Sequence, residues 1–230
     1  MVGIGNPALD EFLPVAILVP SLNRPQRLLE TVRHIRTTTP KPFGILFCVS
    51  DDESRSILQA MGESFIDDGD CEDKRYVTRM NKMVKHLGEA RSVFFGSDDV
   101  IHRPGWFEAA ASVLSDGYAV AVVNDLKNGQ GTQALVRTDY LSYAVFDDPD
   151  SVFHPGYLHN FADNEMFYTA TVRGVCGRAL DSIVEHLHPV MGGPLPWDST
   201  YQIATDGWNH DVSLFEERVK LINEAFGVTE

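Results

Sequence analysis

The chain has 230 residues, of which 43% are hydrophobic, 10% aromatic and 23% charged, with 19 basic residues against 33 acidic for a net charge of −14. Those fractions exclude disordered, fibrous and linker-dominated chains, and the length allows one or two globular domains. The acidic balance argues against a general nucleic-acid or anionic-membrane binder, which needs a basic face. The longest nearly apolar run, residues 14–22, is about half a membrane span. The first residues carry neither a basic nor an apolar leader pattern, so no secretory signal is expected. Cys48, Cys71 and Cys176 are an odd number at wide spacing. They fit neither a disulfide framework nor a cysteine zinc site, and a reducing, cytoplasmic setting is expected.

Periodicity places the elements in order. Residues 15–19 are a continuous apolar run and read as a strand buried on both faces. Pro25 opens a helix to about residue 36, with Leu28, Val32 and Ile35 at helical spacing. Residues 44–50 read as a second buried strand, 54–61 as a short helix, and the acidic stretch 67–73 as a loop. Val77, Met80, Val84 and Leu87 mark a further helix, and 91–96 a third strand. Pro104-Gly105-Trp106 opens another helix, followed by strands at 118–123 and 133–137. Residues 139–161 are aromatic-rich and loop-like. Residues 163–174 then read as a helix, 182–186 as a short strand, and Phe215, Val219, Ile222 and Phe226 as the apolar stripe of a terminal helix.

Strand and helix alternate from 15 to about 123, which predicts an α/β fold with a mostly parallel sheet and helices on both sides. Ligands bind such sheets outside the carboxyl ends of the strands. Those ends are Ser21-Leu22-Asn23, Ser50-Asp51-Asp52 and Ser97-Asp98-Asp99, and two of the three carry paired carboxylates. A pair such as Asp98 and Asp99 offers hard oxygen ligands to Mg²⁺ or Mn²⁺, or else forms a capped loop before Pro104. Asp51 and Asp52 either accept hydrogen bonds from a ribose or base, or Asp51 caps the helix that follows. Asp163-Asn164-Glu165 opens a helix, so Asp163 is either its cap or a general base. His186 and His188 fall on alternate sides of a strand-like segment, and His188 is the expected metal ligand. Gly3-Ile4-Gly5 precedes the first strand and is no dinucleotide fingerprint. The chain contains no Walker sequence, no calcium-binding EF-hand loop and no nucleophile elbow.

In order, these segments resemble an inverting family 2 glycosyltransferase of the GT-A fold, similar to small phage and bacterial enzymes. The matching stretches are Val15-Ala16-Ile17-Leu18-Val19-Pro20-Ser21-Leu22-Asn23-Arg24, the strand ending at Asp51-Asp52, Thr78-Arg79-Met80-Asn81-Lys82, Phe95-Gly96-Ser97-Asp98-Asp99-Val100, Pro104-Gly105-Trp106 and Asp163-Asn164-Glu165. They cover about residues 14–190 of one expected domain spanning 1–230, and a C-terminal helical extension is expected at about 191–230.

The resemblance implies a central mostly parallel mixed sheet flanked by helices, with a nucleotide-diphosphate sugar bound over the strand ends, a UDP-sugar favoured. It places Pro20, Ser21, Asn23, Asp51, Asp52, Arg79, Asn81 and Asp98 at the donor, and Mn²⁺ or Mg²⁺ on Asp99 with His188. Asp163 matches the catalytic base, with Glu165 as supporting acid. The family's first metal-motif acid is Ser97 here. That departure keeps a non-catalytic nucleotide-sugar-binding module in play, beside a nucleotidyltransferase or hydrolase on a similar fold. Trp106, Tyr157 and Trp197 are candidates for stacking on a sugar ring. The acceptor is open among glycans, metabolites, proteins and modified DNA bases. DNA would require a local basic patch such as Arg24, Arg27, Arg33 and Arg36.

Overall fold

A computed structural model describes residues 7–73, 75–127 and 131–228. In chain order, helix α1 (Pro7–Asp10) precedes strand β1 (Val15–Pro20), α2 (Pro25–Thr38), β2 (Phe43–Val49), α3 (Asp52–Met61), β3 (Ser64–Asp67) and α4 (Tyr76–Met83). Next come β4 (Ser92–Phe95), β5 (Val100–His102), α5 (Trp106–Ser115), β6 (Val120–Asn124) and β7 (Ala134–Arg137). The chain continues with α6 (Ala162–Val172), β8 (Cys176–His186), α7 (Ser199–Asp206) and α8 (Trp208–Phe226).

The strands form one 8-stranded sheet in the order β3-β2-β1-β4-β7-β6-β8-β5. β3, β2, β1 and β4 run parallel, as the alternating pattern predicts. β7 is antiparallel to both neighbours and β5 to β8, so the sheet is mixed. β1 shows why the centre is parallel and buried. Val15, Ile17 and Val19 pack on one face against Leu28, Val32 and Ile35 of α2 and the apolar side of α5. Leu18 points the other way, into a second core with Val77, Met80 and Met83 of α4 and Met166 and Ala170 of α6. Side chains alternate across a strand, so a strand with helices on both faces must be apolar at almost every position. α2 starts on Pro25 and buries Leu28, Thr31, Val32 and Ile35, one helical stripe. α5 follows Gly105 at φ +83°, a left-handed turn that costs glycine little.

Three strand features were not predicted. β3 is the parallel edge strand beside β2, hidden in sequence by the acidic stretch it enters. β5 has only three residues. β8 begins at Cys176, well before residue 182, because its inward positions (Gly177, Ala179, Ser182) are small and give little apolar signal. It pairs with β6 over Cys176–Ala179 and, after a register shift, at Ile183, and with β5 over Val184–His186.

Trp106 and Tyr157, two of the stacking candidates, are core residues with no exposure. The Trp106 indole donates to Thr39 Oγ1 at 3.2 Å. The Tyr157 hydroxyl donates to Glu165 Oε2 at 2.8 Å. Glu165, expected to support a base, is therefore placed elsewhere: it is buried and accepts from Arg218 Nη2 at 2.7 Å and Nε at 3.1 Å. Arg218 reaches across from α8 and also donates to both oxygens of Asp147 at 2.7 Å. The expected stripe of α8 is partly corrected by this: Ile222, Arg218 and Asp211 are its buried positions, whereas Phe226 is 40% exposed. The three cysteines are free, and among the described residues no helix is long and apolar enough to cross a membrane.

Removing one partner of a buried ion pair leaves the other charge without compensation, at a cost of about 3–5 kcal/mol. Arg218→Ala is therefore expected to lower stability by about that amount in urea unfolding. A loss under about 1 kcal/mol would contradict the role given to Arg218 in docking α8.

Candidate active site

The carboxyl ends of β1 and β4 open into a cavity of about 590 Å³. Pro20, Arg24, Asp98 and Asp99 line its floor, with Asp163 at the start of α6 and His186 at the end of β8 on its walls. β4 ends in Phe95, so Gly96 and Ser97 lead straight into the acid pair, and the Asp99 carbonyl accepts from Leu187 N at 2.9 Å. That backbone bond holds the acid pair against the end of β8.

The two acids have different surroundings. Asp98 accepts from Ser21 Oγ at 2.6 Å and from Arg24 Nη1 at 2.9 Å. Burial holds its carboxyl above the usual range despite Arg24. Asp99 Oδ1 accepts from Ser97 Oγ at 2.6 Å and lies 3.5 Å from His186 Nε2, and its Oδ2 accepts from Tyr201 at 3.0 Å. Burial alone would raise Asp99, but His186, Ser97 and Arg24 hold it well below the usual range. Ser97 thus orients the acid two residues on. Burial would likewise lower His186, and Asp99 instead holds it above its ordinary value.

Arg24 is the hub of the floor. Its Nε and Nη2 donate to Asp198 at 2.7 and 2.9 Å, a two-pronged contact that ties the cap of α7 to the acid pair. Its guanidinium also lies 4.0 Å above the centre of the Tyr201 ring. Asn23, the residue expected at the donor, does not line the cavity. Asn23 is exposed at φ +55°, a left-handed turn that delivers the next residue into the cavity. Asp198, Tyr201, Tyr76 and His159 were also missed. The signal available for Asp198 was its place before Ser199-Thr200, where it caps α7 through Thr200 N and Tyr201 N.

Asp163 does not cap α6. The capping position is Phe161, at φ +65°, and Asp163 stands in the first turn with its carboxylate in the cavity. Burial pushes its carboxyl up to about 6, against the Asn164 N–H and the His186 charge. An acid lifted into that range, in a cleft, suits a general base working near neutral pH.

The remaining expected residues divide clearly. Arg79 lines the cavity and is buried, donating to Ser21 O at 3.0 Å, with no hydrogen-bond partner for Nη2. Asn81 is not at the cavity: its Oδ1 accepts from Val152 N and Phe153 N, each at 3.0 Å, and its Nδ2 donates to Phe153 O at 2.7 Å. Asp51 caps α3 through Ser54 N at 2.8 Å and does not line the cavity. Asp52 is on the surface, its side chain 95% exposed and paired with Arg55. His188 lines the cavity, but its Nδ1 accepts from Val190 N and its ring packs on Tyr201; His186 is the imidazole beside Asp99. Burial pushes His188 down to about 4. Trp197 is 48% exposed and donates to Gln202 at 3.3 Å. The four-arginine patch is not assembled as a free basic surface: Arg24 is buried, Arg27 donates to Asp98 O, and Arg36 pairs with Glu63.

Among the described residues no three His, Cys, Asp or Glu side chains are gathered to hold a metal ion by themselves. Mg²⁺-type sites need only one or two carboxylates when substrate phosphates complete the shell. Asp99 with His186 fits that partial description, and carboxylates outnumber guanidiniums around the cavity.

No protein-family model matches the chain, and no curated protein matches it by sequence. Solved structures do resemble it. A mannosyltransferase from Pyrobaculum calidifontis, in complex with GDP-Man and Mn²⁺, superposes with a TM-score of 0.59 at 12% identity, over 76% of this chain and 57% of that one. S. aureus TarS (1–349) gives 0.56 at 13% identity, over 74% and 59%. The chain therefore spans under two thirds of those proteins. Glucosyl-3-phosphoglycerate synthase from Mycobacterium tuberculosis, in complex with Mn²⁺, UDP and glucosyl-3-phosphoglycerate, gives 0.60 at 10% identity, over 93% and 82%. At such identities the likeness establishes the fold alone: this α/β chain has the GT-A glycosyltransferase fold.

Asn81→Ala would strand two loop N–H groups, so it is expected to cost about 2 kcal/mol of stability and to leave nucleotide affinity unchanged. A stable Asn81→Ala protein with weakened nucleotide binding would return Asn81 to the donor site.

Proposed function

We propose that the protein is a metal-dependent inverting glycosyltransferase of the family 2 type. It moves a hexosyl or pentosyl group from a nucleotide-diphosphate sugar, a UDP-sugar favoured, to an acceptor hydroxyl. The observation that carries this reading is the placing of Asp163, its carboxyl pushed up to about 6, in one cavity with the Asp98–Asp99 pair at the strand ends. The solved neighbours support it, since two of them hold Mn²⁺ with GDP-Man or UDP.

In this reading the nucleotide lies over Pro20, while Ser21, expected at the donor, is buried beneath the floor, and Asp98, fixed by Ser21 and Arg24, faces the ribose or sugar. Arg79 has Nη2 left to donate to a donor oxygen. A divalent cation, Mn²⁺ or Mg²⁺, held by Asp99, and by His186 once its proton has left, would offset charge on the departing diphosphate. Asp163 accepts the proton of the acceptor hydroxyl as that oxygen bonds to the anomeric carbon. The bond from that carbon to the diphosphate breaks on the opposite face, which inverts the centre. A base of this kind contributes about 10²–10⁴-fold.

The sign of the pH dependence follows. Only ionised Asp163 can accept the proton, so kcat/KM rises with pH through about 6 and levels above it. Stability runs the other way. A carboxyl raised in the folded state favours folding most below its unfolded value, 3.8, and that contribution is lost as pH rises through about 6. Asp163→Asn is thus expected to lose about 10²–10⁴-fold in transfer and to melt no lower than wild type at pH above 7. Transfer retained in Asp163→Asn would overturn the base assignment. Nucleotide binding without turnover of any donor would leave the binding-module reading, and pyrophosphate release from a nucleoside triphosphate would favour a nucleotidyltransferase.

A further inference from the structure

The cavity has two unlike walls. One carries the acids; the other is built by the segment after β8 and presents Val190, Ile203 and Trp208, which are 65%, 49% and 49% exposed. Large apolar side chains left open on a cavity wall mark a surface that an apolar partner covers. Trp208 is held in place from behind. Its ring meets Phe161 edge-on with centroids 5.0 Å apart, and Phe161 stacks on Phe215 at 5.4 Å. Phe161 is also the residue with φ +65° that launches α6, two positions before Asp163. A non-glycine residue held in that region is strained, and such strain clusters at functional sites. The same backbone turn therefore fixes both the carboxylate and the support of the indole.

Charge narrows what this wall can take. Each guanidinium that lines the cavity already has a carboxylate partner: Arg24 with Asp98 and Asp198, Arg75 with Asp73, and Arg79 with Asp68. The lining also carries Glu72 and Asp73. Arg79 Nη2 is left for the donor, so a polyanion or a phosphorylated acceptor would meet these acids with no further guanidinium free for it among the described lining residues.

Resting on the glycosyltransferase reading, we infer that Trp208, with Ile203 and Val190, forms the acceptor subsite and that it takes an uncharged saccharide. A sugar ring has a face of C–H bonds and an edge of hydroxyls. The face covers the indole, as apolar ring surfaces cover aromatic ones, and the hydroxyl edge turns toward Asp163. The specificity follows from the wall: neutral rings enter, and nucleic acid and sugar phosphates do not.

The test is binding, read on the indole N–H signals of Trp106, Trp197 and Trp208 by NMR, with Trp208→Phe to assign the third. Cellobiose, maltose and methyl glucosides are titrated into the full chain, beside glucose 6-phosphate and a single-stranded DNA oligonucleotide. The inference expects at least one neutral saccharide to move the Trp208 signal and leave buried Trp106 still. It expects Trp208→Ala to weaken that saccharide about tenfold, which is about 1.4 kcal/mol, and Trp197→Ala to leave its affinity unchanged. No movement of Trp208 with any neutral saccharide overturns it, as does tighter binding of the phosphate or the DNA. Turnover of a nucleotide sugar is measured separately on wild type. Turnover without a Trp208 response retains the transferase reading and loses this one. Saccharide binding at Trp208 without any turnover keeps the sugar site and loses the transferase reading.

Discussion

A guanidinium buried between one carboxylate from mid-chain and one from the C-terminal part joins the strand-end floor of the cavity to its C-terminal wall. Arg24 comes from the turn after β1, Asp98 from the end of β4 and Asp198 from the cap of α7, 174 residues away from Arg24. Ion pairs of this depth are geometric devices more than sources of stability, because desolvating the charges cancels most of their attraction. What Arg24 supplies is position. It fixes Asp98 through one nitrogen, grips Asp198 with two others, and sits 4.0 Å above the Tyr201 ring, whose hydroxyl in turn donates to Asp99. Without that hub, the Tyr201 hydroxyl would be the remaining polar tie between α7 and the acid pair among the described residues.

The electrostatics of the cavity then sort three nearby carboxyls into different states. Asp98 is raised by burial, Asp99 is held low by His186, Ser97 and Arg24, and Asp163 is pushed up to about 6. Groups whose surroundings drive their titration apart can do different work in one site. The acid held low is the one suited to a cation. The acid lifted toward neutrality is the one suited to accept a proton. Ser97 adds to this sorting, since its hydroxyl at 2.6 Å fixes the orientation of the Asp99 carboxylate.

Most of the sheet was legible because a strand covered by helices on both faces must be apolar throughout, and β1, β2 and β4 are. The edge strand β3 and the first half of β8 were not, because their inward residues are few or small. Asp98, Asp99 and Asp163 were legible as carboxylates at strand or helix ends, where the fold converges. Asp51, Asp52, Asn81 and Glu165 carry the same chemical types at similar local positions, yet their partners are a helix cap, a surface arginine, a loop backbone and Arg218. Asp51 and Asp52 are turned by partners three residues on, whereas Asn81 and Glu165 are turned by contacts far along the chain. Arg218 lies 53 residues from Glu165, and Asp198 lies further still from Arg24. Tyr201 and Trp208 were invisible for the same reason, since no local pattern marks a C-terminal helix as the wall of a site formed by earlier strands.

The central claim is that the strand-end acids form a nucleotide-diphosphate site completed by a divalent cation at Asp99. Thermal melts with UDP, GDP and CDP, each with and without Mn²⁺, on wild type and Asp99→Ala test it most directly. A ligand at one hundred times its Kd adds about 2.7 kcal/mol, or roughly 5–10 °C for a chain of this size. The account expects such a shift with one nucleotide, UDP favoured, that requires both Mn²⁺ and Asp99. The absence of any shift, or one that persists without Mn²⁺ in Asp99→Ala, would contradict it.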